Sequence, residues 1–140
     1  MGYVDTSVLA AYYCPEPLTA AAQKAIMRIK VPAISVLVEV ELASALSQKV
    51  RSGQMDASSA SKVFHQFQIH LASNHYELLL LSSQQYALAR DWLTSFTTPL
   101  RALDALHLAI ASSSLRTLIT ADKSLAHSAQ QLSIKCQLIH

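Results

Sequence analysis

Four carboxylates in this sequence stand inside apolar runs, where a chain normally places hydrocarbon. Asp5 follows Tyr3-Val4 and precedes Thr6-Ser7-Val8-Leu9. Glu41 lies between Val40 and Leu42, Asp104 lies in Leu103-Asp104-Ala105-Leu106, and Asp122 follows Leu118-Ile119-Thr120-Ala121. The 140 residues hold only nine Asp plus Glu, so four in such settings is a large share. An ionised carboxylate taken from water needs a partner or keeps its proton. Two unit charges at about 4 Å repel by roughly 4 kcal/mol at an effective dielectric near 20. Basic residues near these acids are too few to serve all four, so a shared divalent cation is the natural compensation. Carboxylate oxygens suit the hard ions Mg²⁺ or Mn²⁺. Zinc is disfavoured, because no His-x-x-x-His or cysteine pair supplies nitrogen or sulfur. With no Ser-His or Cys-His pair nearby as a nucleophile, such a cluster points to hydrolysis of a phosphodiester by activated water. Thr6, Ser7 and Thr120 flank the acids, and their hydroxyls are candidates to hold a water or a phosphate oxygen. Ser7 or Thr6 equally suits a helix N-cap.

The acids need a scaffold that brings them together. Short apolar runs at Tyr3-Val4, Val31-Ser35, Tyr76-Leu81, Thr117-Thr120 and Lys135-Ile139 read as strands, mostly without alternation, as in a sheet covered on both faces. Helical patterns lie between them: residues 18–30 after Pro15-Glu16-Pro17, residues 36–50, a helix capped by Asp56 and running through Leu71, and one opened by the capping-box sequence Ser82-Ser83-Gln84-Gln85. Two more span roughly 102–114 and 123–132. The Ser52-Gly53-Gln54 turn reads as a helical-hairpin bend. This alternation predicts a three-layer α/β fold, with a central, mostly parallel, five-stranded sheet flanked by helices. No linker or repeat divides it, and residues 1–140 read as one domain. In open sheets of this kind ligands gather at the carboxyl ends of the strands. Asp5 ends the first strand, Asp122 follows the fourth, and Glu41 and Asp104 sit in early helical turns. All four can therefore face one crevice.

Composition narrows the alternatives. Half the residues are hydrophobic and 14% are charged, which excludes a disordered chain. Two glycines among 140 residues argue against an all-β sandwich. The net charge of +2 permits an anionic partner without announcing one. Cys14 and Cys136 form no C-x-x-C and read as a reduced pair of small core residues. No signal peptide is evident, and no apolar stretch approaches the roughly 20 residues that cross a bilayer. A soluble, cytoplasmic protein with no membrane partner is the expectation.

Read together, Val4-Asp5-Thr6-Ser7-Val8-Leu9, then Ile34-Ser35 with Glu41-Leu42 and Ala45-Leu46, then Leu103-Asp104-Ala105-Leu106-His107-Leu108-Ala109, then Leu118-Ile119-Thr120-Ala121-Asp122-Lys123-Ser124-Leu125, resemble the PIN-domain nucleases. Within them they look most like the VapC-type toxins of bacterial toxin–antitoxin pairs. The resemblance covers essentially the whole chain. It implies a five-stranded parallel sheet, Mg²⁺- or Mn²⁺-dependent endoribonuclease activity on RNA (transfer RNA among the candidates), a homodimer and a cognate antitoxin. It also implies that Asp5 and Asp104 are the main metal ligands, that Glu41 completes the first-metal site, and that Asp122 assists a second metal or orients water.

Several rival readings stand beside this one. Asp5, Asp104 and Asp122 each suit a helix N-cap or first turn. Glu39 lies two residues from Glu41 on the opposite side of the same helix, and the spacing from Ser35 favours Glu41. His107, one turn from Asp104, suits a packing or hydrogen-bonding role better than metal ligation. A phosphotransferase of the haloacid-dehalogenase type also places an aspartate after its first strand, but it wants a second acid where Ser7 stands. A non-catalytic module accepting a basic segment in its acidic crevice, and an RNA-processing nuclease without an antitoxin, remain as alternatives.

Overall fold

The computed structural model describes all residues, 1–140. Five strands form one sheet: β1 (Gly2–Val4), β2 (Ala33–Ser35), β3 (Glu77–Leu79), β4 (Thr117–Thr120) and β5 (Cys136–Leu138). Their order is β3-β2-β1-β4-β5, and every neighbouring pair is parallel. The chain steps outward from β1 through β2 to β3, then returns to the other side of β1 with β4. The order thus reverses between β1 and β4, and the crevice at their carboxyl ends is where such sheets bind ligands.

Seven helices cover the sheet: α1 (Thr6–Tyr13), α2 (Thr19–Met27), α3 (Val36–Arg51), α4 (Ala57–Ala72), α5 (Ser83–Leu93), α6 (Ala102–Ser113) and α7 (Lys123–Gln131). Alternation along each strand decides which side chain meets which layer. Val4, Ile34 and Ile119 point to one face and pack with Val8, Leu9, Val38, Leu42 and Phe67 of α1, α3 and α4. Tyr3, Ala33 and Leu118 point to the other, against Leu108, Ile110, Leu125 and Ala129 of α6 and α7. Each large side chain wholly removed from water, such as Phe67 or Leu108, contributes roughly 1.5–3 kcal/mol. α6 is buried without a break from Ala105 to Ala111, because α5 covers its outer side through Ala89. Gly53, at φ +79°, makes the left-handed step that turns α3 into α4.

The strands are shorter than the apolar runs that announce them. Pro32 and Tyr76 are buried but lie before their strands, and the run Tyr76-Leu81 contributes only Glu77–Leu79 to the sheet. That strand departs from the expected two-sided burial: β3 is an edge, its Glu77 and Leu78 are exposed, and Arg116 pairs with Glu77 at 2.6 Å. The helix expected over 18–30 is confined to Thr19–Met27. Cys14 and Cys136 are both free thiols. No helix is long and apolar enough to cross a membrane.

Candidate active site

The junction of β1 and β4 builds the first half of the site. β1 runs beside β4 with Val4 opposite Ile119, and the Asp5 amide donates to the Ile119 carbonyl at 3.1 Å. Asp5 therefore leaves the sheet opposite Thr120, on the same face as Tyr3. It is 3% exposed, and three donors hold its carboxylate: Ser7 Oγ at 2.6 Å and the Val8 amide at 3.3 Å on Oδ1, and Thr120 Oγ1 at 2.5 Å on Oδ2. The Val8 bond makes Asp5 the N-cap of α1, so the capping reading and the site reading describe one residue. Asp122 likewise caps α7, its Oδ1 accepting the amides of Ser124 and Leu125.

Glu41 is the sixth residue of α3, on the crevice side of that helix, while Glu39 belongs to its first turn. Its Oε1 accepts from Thr6 Oγ1 at 2.9 Å and from His107 Nε2. Asp104 lies in the first turn of α6 and has no side-chain hydrogen-bond partner. Glu41, Asp104 and Asp122 line one crevice of about 660 Å³ together with Leu100, Arg101 and Ser128. Asp5, expected to face the same crevice, is not among the residues lining it; its carboxylate is turned onto Ser7, Thr120 and the Val8 amide at the end of β1.

The electrostatics distinguish Asp5, Asp104 and Glu41. Burial raises the Asp5 carboxyl above the ordinary aspartate value of 3.8, against the pull of the Ser7 and Thr120 hydroxyls. Asp104 is raised too, first by burial and then by the Asp122 carboxylate, with Glu41 adding to the repulsion. Burial works to raise Glu41 as well. There the His107 imidazole and the Thr6 hydroxyl outweigh it and hold the group below its ordinary value of 4.5. No Lys or Arg pairs with any of the four acids, since the ion pairs of the molecule are Arg90–Asp91, Arg116–Glu77 and His107–Glu41. Excess negative charge is thus left in the crevice.

The donor set fits a divalent cation in its chemistry. Glu41 Oε2 and Asp122 Oδ2 make no hydrogen bond, the Asp104 carboxylate meets only the backbone N–H of Arg101, and these three residues line the same crevice. As the side chains stand, no three Asp, Glu, His or Cys groups are near enough to share one ion. Asp5 is closed on its hydroxyl donors, and Glu41 commits one oxygen to Thr6 and His107. The accessory hydroxyls differ from expectation for the same reason: Thr6, Ser7 and Thr120 spend their protons on Glu41 and Asp5, not on the crevice. A buried carboxylate takes any donor within reach, because an unmatched one is costly.

Four further residues belong to this arrangement. His107 bonds Glu41 rather than sharing a cation with Asp104, in agreement with the hydrogen-bonding reading of its spacing. Tyr3 and Ser35 join it from the sheet. Apart from the period-2 alternation that puts Tyr3 and Ser35 on the α6 face, no signal in the sequence marks them. Arg101, the N-cap of α6, was also silent in the sequence. It stands exposed in the acidic crevice with no carboxylate partner.

A parallel α/β sheet with an acidic crevice at its strand-order reversal defines the class. The chain belongs to the PIN domain family, whose model matches residues 2–130, a family of nucleases. Among curated proteins, none matches it in sequence. Solved structures share the fold. VapBC2 from Rickettsia felis, bound to a DNA fragment from its promoter, is 16% identical, with 100% of both chains covered and a TM-score of 0.73. VapC20 of Mycobacterium tuberculosis, a sarcin–ricin loop cleaving toxin, is 17% identical over 91% of this chain and 95% of its own, with a TM-score of 0.70. PAE2754 from Pyrobaculum aerophilum is 25% identical over 90% of this chain and 77% of its own, at 0.66.

Proposed function

We propose that this protein is a cytoplasmic, Mg²⁺- or Mn²⁺-dependent endoribonuclease, the toxin of a toxin–antitoxin pair, acting as one PIN unit over residues 1–140. The observation that carries the reading is the crevice itself: Glu41, Asp104 and Asp122 line it together, and no Lys or Arg forms an ion pair with any of them. Asp5, at the end of β1, has its charge disfavoured by burial.

Asp104, Glu41 and Asp122 would hold the cation from the crevice, and Asp5 would join them on exchanging a hydroxyl donor for the ion. When bound, the cation supplies Lewis-acid chemistry, acidifying a water and neutralising charge that develops on the phosphodiester. The chain's own part is to place and orient. Asp122, fixed by the α7 amides, keeps Oδ2 free to accept a proton from an approaching water. Arg101 offers a guanidinium to a phosphate of the RNA beside the acids, which repel that phosphate unaided. Thr6, Ser7 and Thr120 keep the carboxylates oriented.

An antitoxin partner is supported by the toxin–antitoxin assemblies that share the fold, and a homodimer by the resemblance to VapC-type toxins. A basic side chain from such a partner would find in this crevice the charge it needs. The test is incubation of purified protein with total RNA, with and without EDTA, beside the Asp104→Asn variant. Internal cleavage that needs divalent metal and Asp104 is expected. RNA left intact in saturating Mn²⁺ would turn the reading toward a non-catalytic acidic binding module.

A further inference from the structure

A line of polar side chains crosses the otherwise apolar α6 face of the sheet and ends on Glu41. Tyr3, with no exposed surface, places its hydroxyl 2.8 Å from Ser35 Oγ and 2.6 Å from His107 Nδ1. His107 is 3% exposed and turns Nε2 onto Glu41 Oε1. Donor and acceptor counting assigns the proton at the Glu41 end. Glu41 is ionised and only accepts, so Nε2 carries a hydrogen. The Tyr3 hydroxyl, whose proton burial holds in place, bridges His107 Nδ1 and Ser35 Oγ. Four elements, β2, β1, α6 and α3, are thereby linked into one hydrogen-bonded chain.

Both imidazole nitrogens are used in this chain, which leaves His107 no lone pair for a metal. Nor is the line needed to fill space. Leu108, Ala33 and Leu118 occupy the same layer, and an apolar pair in place of Tyr3 and His107 would avoid desolvating two polar groups. Its evident effect is on Glu41: with Thr6 it fixes Oε1, so that Oε2 is the oxygen left for the crevice.

Building on the metal-site reading above, we propose that Tyr3 and His107 are positioning residues that hold Glu41 in register and so set how tightly the crevice binds a divalent cation. Groups that orient metal ligands commonly change affinity by about 10–100-fold when removed.

The experiment measures Mn²⁺ binding to RNA-free protein by calorimetry for wild type, Tyr3→Phe, His107→Phe and His107→Gln. Far-UV circular dichroism monitors the fold, and cleavage is followed as kcat and KM across Mn²⁺ concentration. His107→Phe should weaken Mn²⁺ by about 10-fold or more and Tyr3→Phe by about 3-fold. His107→Gln keeps a donor amide near the Nε2 position and should recover most of the loss. The fall in kcat should be reversed by excess Mn²⁺, with KM for RNA unchanged. Should His107→Phe fail to fold, Tyr3→Phe, which loses one oxygen atom, decides alone. Wild-type Mn²⁺ affinity in the folded variants, or a glutamine no better than phenylalanine, overturns the inference while the site reading stands. A wild-type protein that binds no Mn²⁺ overturns both.

Discussion

Thr120 Oγ1 donates to Asp5 Oδ2 at 2.5 Å, across 115 residues of sequence, and the same oxygen accepts the backbone N–H of Asp122 at 3.0 Å. One hydroxyl thus ties the acid that ends β1 to the acid that follows β4. Thr120→Val keeps the shape and removes both bonds, leaving a buried carboxylate oxygen unmatched at a cost of about 1–3 kcal/mol. Urea unfolding should show that loss, and Thr120→Ser should avoid most of it. Equal stability of the valine and threonine proteins would mean that Thr120 does not tie the two acids.

Asp5→Asn and Asp104→Asn should each cut RNA cleavage by at least about 100-fold, the scale of losing a group that acts at the reacting centre. Both variants should fold, since asparagine keeps the acceptor for Val8 and Ser7 at position 5. Glu39→Gln should cut at the wild-type rate, because Glu39 does not line the crevice. Initial rates on a defined RNA decide, and a rate within about twofold of wild type for either asparagine variant removes that acid from the proposed site.

Divalent metal should stabilise the protein, because it binds the native crevice and not the unfolded chain. At a hundredfold excess over Kd the gain is about 2.7 kcal/mol, worth several degrees in Tm for a domain of this size. Asp104→Asn should lose most of that rise. A melting curve indifferent to millimolar Mg²⁺ and Mn²⁺ would speak against a shared site.

The pH dependence in EDTA follows from the sign of each shift. Asp104 is raised in the folded state, so its contribution is complete below the ordinary value of 3.8 and is lost as pH climbs through the raised one. Glu41 is lowered, so its contribution is present above 4.5 and is lost as pH falls through its folded value. Asp104→Asn should therefore gain stability over wild type as pH goes from about 4 to 7. Thermal melts in EDTA measure this difference, and a gap that stays constant with pH would contradict it.

Arg101→Ala should raise KM for RNA several-fold, with kcat changed less, and should weaken the salt dependence of binding. The arginine has no acidic partner to lose, so the melting temperature should hold. An unchanged KM at low salt would leave Arg101 without a part in RNA binding.

Much of this molecule is a local matter and is therefore written in order along the chain. Apolar runs closed by Pro17, Gly53 or a capping Asp56 mark strands and helices through spacing alone. An acid at the end of such a run, as at Asp5 and Asp122, or in an early helical turn, as at Glu41 and Asp104, is visible without knowing its neighbours. Even the spacing of His107 from Asp104 favours a packing or hydrogen-bonding group over a metal ligand. What it bonds to could not be read, because its partners Tyr3 and Glu41 come from other elements, 104 and 66 residues away. The same holds for the Ser7 and Thr120 hydroxyls turned onto Asp5, and for the exposed edge at β3. Side-chain partners and strand edges depend on strand order and on which helix face meets the sheet. Only the closing of distant segments around β1 and β4 decides those.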